Sequence, residues 1–191
     1  MRYVLLLLAS FCCAFSGSPQ AAEAVGVVAL AELAKPGRVL MLRHASAPGT
    51  GDPPNFRLDD CATQRNLDEA GRTQARALGQ SLARAGLTQA RIYSSQWCRC
   101  LETARQLNLG PVEPLPALNS FYQRSQDREA RLLALRAFLA GLPPTGTPVI
   151  LVTHQVTISA FTGEGVVSGG GNLFELNGTG APRLLGSITS D

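Results

Sequence analysis

Two short apolar runs end in the same way and limit what this chain can become. "VLMLRH" (39–44) and "VILVTH" (149–154) each place a histidine directly after a strand-like segment, and the chain has only these two histidines. A third run, "ARIYSS" (90–95), also reads as a short strand. Helical patterns separate them. Over 68–85, Asp68 suits an N-cap, Leu78 and Leu82 are spaced i, i+4, and Gly86 suits the position just past the end. "QWCRCLETARQL" (96–107) reads as a helix, and "REARLLALRAFLAGL" (128–142) aligns Leu132, Leu135, Leu139 and Leu142 on one face. "VEPLPAL" (112–118) is expected as a strand, held to a sheet edge by its prolines. Two further strands are expected at 172–177 and 183–188. Short apolar strands alternating with helices predict an α/β fold with a mostly parallel central sheet.

The length of 191 residues suits one domain, and 45% hydrophobic residues can build its core. The N-terminus is set apart. "MRYVLLLLASFCCAFSGSPQAAEA" has a basic Arg2, an apolar stretch from Tyr3 to about Phe15, then small residues ending in a plausible A-x-A site. The apolar stretch is short for a membrane span of about 20 residues. Residues 1–24 are therefore expected as a signal peptide and 25–191 as the domain, with an uncleaved anchor as the alternative. Export implies a periplasmic or secreted protein in an oxidising compartment. Three cysteines then remain, Cys61, Cys98 and Cys100. They allow one internal bridge, Cys61–Cys98 or Cys61–Cys100, and the first is the one expected. The net charge of +3 is mild, and no basic run or basic–aromatic stripe points to nucleic acid. No stable membrane association is expected.

Parallel sheets bind ligands at the carboxyl ends of their strands. Arg43 and His44 stand at the end of the first strand, His154 at the end of "VILVT", and Arg99 just beyond "RIYSS". If these strands are neighbours, two arginines and both histidines share one rim. Such a rim requires an anion, and a phosphoryl group clamped by two guanidinium groups fits it. Like-charge repulsion keeps a histidine there neutral, and neutral imidazole is a nucleophile that can accept a phosphoryl group. The remaining cations would stabilise charge on the equatorial oxygens.

"LMLRHASAP", "RNLDEAGRTQARALG", "IYSSQWCRCLETA" and "VILVTH" together resemble the histidine phosphatase (phosphoglycerate mutase-like) superfamily over about residues 38–160. The resemblance implies a three-layer αβα sandwich, with His44 as phosphoryl acceptor and Arg43, Arg99 and His154 as the catalytic and substrate-binding phosphate pocket. It implies a hydrolase, a histidine acid-type phosphatase without metal or cofactor, acting on a small-molecule phosphorylated substrate. The chain departs from the pattern at three places. Ala45 stands where many members have Gly, and Gln155 where Gly or Asp is usual. More consequentially, "PALNSFYQ" puts Asn119 and Ser120 where members that hydrolyse alkyl phosphates carry a carboxylic acid. Asn cannot protonate a leaving alkoxide. Asp52, Asp59, Asp60, Asp127, Glu129 and Glu164 are other acids in the region, none singled out by its spacing. Members lacking the acid act where the leaving group is already good, as in phosphohistidine or aryl phosphates.

The expected activity is thus an exported phosphatase working through a phosphohistidine on His44. The alternatives are a weak or inactive phosphate-binding protein on the same fold, which Asn119 favours, and a mutase, which the exported location disfavours. Arg65 is expected to be solvent-exposed, "SGGG" (168–171) to be a flexible turn, and Cys98-Arg99-Cys100 to bind no metal.

Overall fold

The computed structural model describes residues 26–189. The expected signal peptide, 1–24, lies outside the described residues. Six strands form one sheet: β1 (Arg38–Arg43), β2 (Arg91–Ser94), β3 (Val112–Pro114), β4 (Val149–Thr153), β5 (Gly171–Glu175) and β6 (Arg183–Ile188), in the order β3-β2-β4-β1-β5-β6. The β3-β2, β2-β4 and β4-β1 pairs are parallel; β1-β5 and β5-β6 are antiparallel. The helices are α1 (Glu69–Arg84), α2 (Cys98–Leu107), α3 (Arg128–Ala140) and α4 (Gln155–Thr162).

The alternation of side chains along the central strands builds the layers. On β1, Leu40 and Leu42 join one core with Leu78 and Leu82 of α1 and Cys100, Ala104 and Leu107 of α2. Val39 and Met41, pointing the other way, join a second core with Leu135 and Leu139 of α3 and Ile158 of α4. β4 divides in the same manner, Ile150 and Val152 to the first core and Val149 and Leu151 to the second. With both faces covered, β4 is buried at every residue, which is why it reads as an unbroken apolar run. The fold is the expected three-layer α/β sandwich with a mostly parallel sheet.

Local chemistry sets the ends of these elements. Asp68 caps α1, its side chain accepting from Gly71 N at 2.7 Å, and Gly86 follows with φ +101. β3 stops at Pro114, and Pro116–Leu118 turns into a 3-10 helix, so the expected strand over 112–118 is shorter than its apolar pattern. β3 is an edge, as its prolines require. α4 was not evident from the sequence; it opens directly after His154. "SGGG" turns at Ser168 and Gly169, with Gly170 N donating to Val167 O at 3.0 Å, and enters β5 at Gly171. Gly170 O accepts from Arg43 N at 2.9 Å, and a Cβ on Gly171 would lie 2.6 Å from Met41 O, so these glycines admit the close approach of β1 and β5.

Candidate active site

The three strands that carry the motif residues are adjacent, in the order β2-β4-β1, and run parallel. The ladder continues one residue past their ends: His44 N donates to Thr153 O at 3.0 Å and Ser95 N to Val152 O at 2.9 Å. Arg43, His44, Arg99 and His154 therefore meet on one rim, as their positions in the sequence required. All four line a cavity of about 230 Å³, somewhat smaller than the roughly 300–1,000 Å³ of many small-molecule clefts.

His44 is 3% exposed. Its Nδ1 lies 2.8 Å from the carbonyl oxygen of Ala45. A carbonyl only accepts, so Nδ1 carries the proton and Nε2 keeps the lone pair. Burial, reinforced by Arg99, Arg65 and Arg43, lowers its pKa from 6.5 to about 3 against the opposing pull of the Ala45 hydrogen bond. His154 is pushed well below 6.5 by the same causes, burial first and then Arg99 and His44. The two rings stand 5.6 Å apart, nearly perpendicular. His154 Nε2 is 2.9 Å from Ser95 Oγ, whose proton reaches Asn119 Oδ1 at 3.2 Å. That direction makes Ser95 Oγ the acceptor from His154 and leaves the His154 Nδ1 lone pair 3.5 Å from Arg99 Nη2. Both imidazoles are thus held neutral, each in one tautomer.

The arginines are fixed differently. Arg43 Nη1 donates to Val166 O at 3.0 Å and to Gln155 Oε1 at 3.4 Å, so the unusual Gln155 serves as its bracket. Arg99 forms a two-pronged pair with Asp52, Nη1–Oδ1 2.8 Å and Nη2–Oδ2 3.1 Å, with side chains 4% and 3% exposed. Asp52 also accepts from Trp97 Nε1 and from Arg65 N, both at 3.0 Å. Burial alone would raise this carboxyl, but the Arg99 hydrogen bonds and charge outweigh it and hold Asp52 below its ordinary value. The Nε atoms of Arg43 and Arg99 are buried donors with no acceptor among the described residues. An unmet buried donor costs about 1–3 kcal/mol.

Arg65 is not solvent-exposed as expected. It is half-buried in the cavity wall, its Nε donating to Gly51 O at 2.8 Å and its Nη1 to Ala47 O. With Arg124 it brings the lining to four guanidinium groups against one carboxylate, Asp52. Asn119, at the position expected for an acid, is buried and does not line the cavity; it accepts from Gln96 N at 2.9 Å and donates to Gln96 Oε1 at 2.8 Å. Ser120 beside it does line the cavity, whereas Asp59, Asp60, Asp127, Glu129 and Glu164 do not. Asp52, Phe56, Tyr122 and Arg124 line the cavity without being marked by any sequence motif.

Cys61 is bridged to Cys98, Cα–Cα 5.7 Å, tying the loop that carries Asp52 and Arg65 to the start of α2, one residue before Arg99. Cys100 is a free, fully buried thiol, its Sγ 3.5 Å from His154 Nε2, and burial pushes its pKa up to about 12. Such a thiol is inert. Among the described residues no cluster of three or more His, Cys, Asp or Glu could hold a metal.

The comparisons with known proteins agree with this fold. The putative phosphohistidine phosphatase SixA from Agrobacterium tumefaciens matches with a TM-score of 0.55 and 21% identity over 82% of this chain and 99% of that one. A tungstate complex of the protein histidine phosphatase SixA matches at 0.58 and 16%, covering 80% and 97% of the two chains. A mycobacterial glucosyl-3-phosphoglycerate phosphatase, in complex with inorganic phosphate, matches at 0.57 and 18%, covering 81% and 97%. These likenesses establish the shared fold. No curated protein matches. Residues 39–122, which carry Arg43, His44, Arg65 and Arg99, match the family model of the histidine phosphatase superfamily, branch 1. Over that span the chain carries a histidine phosphatase superfamily domain.

Proposed function

We propose that this protein is an exported, metal-independent phosphatase that works through a phosphohistidine on His44. The observation that carries the reading is the state of His44: neutral, with Nδ1 committed to Ala45 O and Nε2 left as the nucleophile, in a cavity shared with Arg43, Arg65 and Arg99. Nε2 attacks phosphorus as the bond to the leaving oxygen breaks, and that oxygen departs with the electron pair. Arg43 and Arg99 hold the equatorial oxygens. Water then attacks the phosphohistidine, the P–N electron pair returns to Nε2, and phosphate leaves with the proton of the water released to solvent. Export is supported by the N-terminal pattern and by the Cys61–Cys98 bridge, which an oxidising compartment would preserve.

The test is hydrolysis of p-nitrophenyl phosphate by the protein and by His44→Ala between pH 4 and 8. His44-dependent turnover is expected. Binding of inorganic phosphate without such turnover would instead support the second reading, a phosphate-binding protein; the observation favouring it is that Asp52 already occupies both prongs of Arg99.

A further inference from the structure

Two walls of the cavity come from segments that lie outside the helices and strands. The loop after β1 supplies Gly51 and Asp52, and the stretch leading to α3 supplies Tyr122 and Gln123. The Gln123 carboxamide joins them. Its Oε1 accepts from Asp52 N at 3.1 Å, and its Nε2 donates to Asp52 O at 3.1 Å. A carboxamide carries a donor and an acceptor side by side, as a peptide group does, so one side chain meets both main-chain groups of Asp52. Neither of those groups has a main-chain partner among the described residues. Gly51, just before, has φ +69, and the backbone freedom of glycine gives the loop no stiffness of its own there.

Asp52 is also the residue that orients the site. Its carboxylate accepts from both prongs of Arg99, from Trp97 Nε1 and from Arg65 N. Trp97 in turn meets the His154 ring at 5.2 Å. Gln123 is exposed at the mouth, whereas Arg99 is buried. The main chain of Asp52 is thus held from outside while its side chain holds the interior. A shift of the Asp52 backbone would carry the Arg99 guanidinium with it, because two-pronged pairing fixes direction as well as distance. We propose that Gln123 is a positioning residue for the phosphate site: its carboxamide fixes the Asp52 main chain, and Asp52 sets the Arg99 guanidinium against the phosphoryl oxygens. The proposal rests on the phosphatase reading given above. Gln123 takes no part in the bond changes; its contribution is orientation.

The experiment measures kcat and KM for p-nitrophenyl phosphate, together with Tm, in the protein, Gln123→Met, Arg99→Lys and the double variant. Met keeps the length of Gln but offers no donor and only a weak acceptor. In Gln123→Met, kcat is expected to fall about tenfold, in the range of two neutral hydrogen bonds. Tm should stay unchanged, because the side chain replaced is exposed. In the Arg99→Lys background, where a two-pronged pair with Asp52 cannot form, the same change should cost less than about twofold. An unchanged kcat in Gln123→Met would overturn the proposal. So would an equal loss in both backgrounds, since Gln123 would then act by a route other than Arg99. A loss confined to KM would make Gln123 a direct substrate contact, and a loss matched by a lower Tm would make it structural; either result would also overturn it. These outcomes are read against His44-dependent turnover by the unaltered protein. Absence of that turnover would overturn the phosphatase reading and this inference with it.

Discussion

Lowering the pH tests the electrostatics of the site without changing a residue. An unfolded histidine takes up a proton near pH 6.5, whereas His44 in the folded protein does so only near pH 3. At pH 5 an ordinary imidazole is neutral in about 3% of molecules and His44 in about 99%. The sign for stability follows from the same difference. Above pH 6.5 neither state binds the proton and the full stability is present. Between 6.5 and about 3 the unfolded state binds it and the folded state does not, so stability falls by about 1.4 kcal/mol per pH unit and by about 5 kcal/mol in all. His154, lowered for the same reasons, acts in the same direction. The measurement is a titration of the histidine Cε1–H resonances from pH 8 to pH 4. The chain has only two histidines, so one variant assigns both. Neither resonance should titrate in the folded protein, while the urea midpoint should fall steadily below pH 6.5. A midpoint near 6.5 for either ring would refute the claim that burial and three arginines keep the site neutral.

Three further outcomes follow from the geometry. Asp52→Ala leaves the buried Arg99 unpaired and should cost about 3–5 kcal/mol, a drop of very roughly 6–20 °C in Tm; a shift under 2 °C would mean that the pair contributes little. Cys61→Ser removes a bridge spanning 37 residues and should lower stability by about 4 kcal/mol on the chain-entropy estimate, measured by urea unfolding; equal stability of oxidised and reduced protein would contradict this. Arg65→Met should raise the inhibition constant of inorganic phosphate by about tenfold, the effect of losing one charged hydrogen bond or close charge, and an unchanged constant would place Arg65 outside the phosphate field.

Much of the fold was legible because local rules and tertiary packing agree in it. β4 is an unbroken apolar run because helices cover both its faces, and α1 begins at Asp68 because that side chain satisfies Gly71 N. α4 was hidden for the opposite reason. "QVTISAFT" is rich in β-branched residues that favour strands, and its helix is held by burying Thr157 and Ile158 against the sheet. The motif residues were legible because strand ends imply a rim. Asp52 and Arg65 were not, since both lie in a loop without periodicity and are placed by partners distant in sequence, Arg99 and Trp97 for Asp52 and the turn carbonyls of Ala47 and Gly51 for Arg65. The residue expected as a failed acid, Asn119, turned out to be a structural anchor for Ser95 and Gln96. Its chemistry was readable from the sequence, but the direction in which it points was not.

The central claim is that His44 Nε2 carries the phosphoryl group. It is tested most directly by mixing the protein with p-nitrophenyl phosphate, quenching in alkali, where phosphohistidine survives, and mapping phosphate by peptide mass. The account predicts one phosphate on the peptide that contains His44 and none in His44→Ala. Steady turnover with no phosphorylated peptide, or with the phosphate on His154, would contradict it.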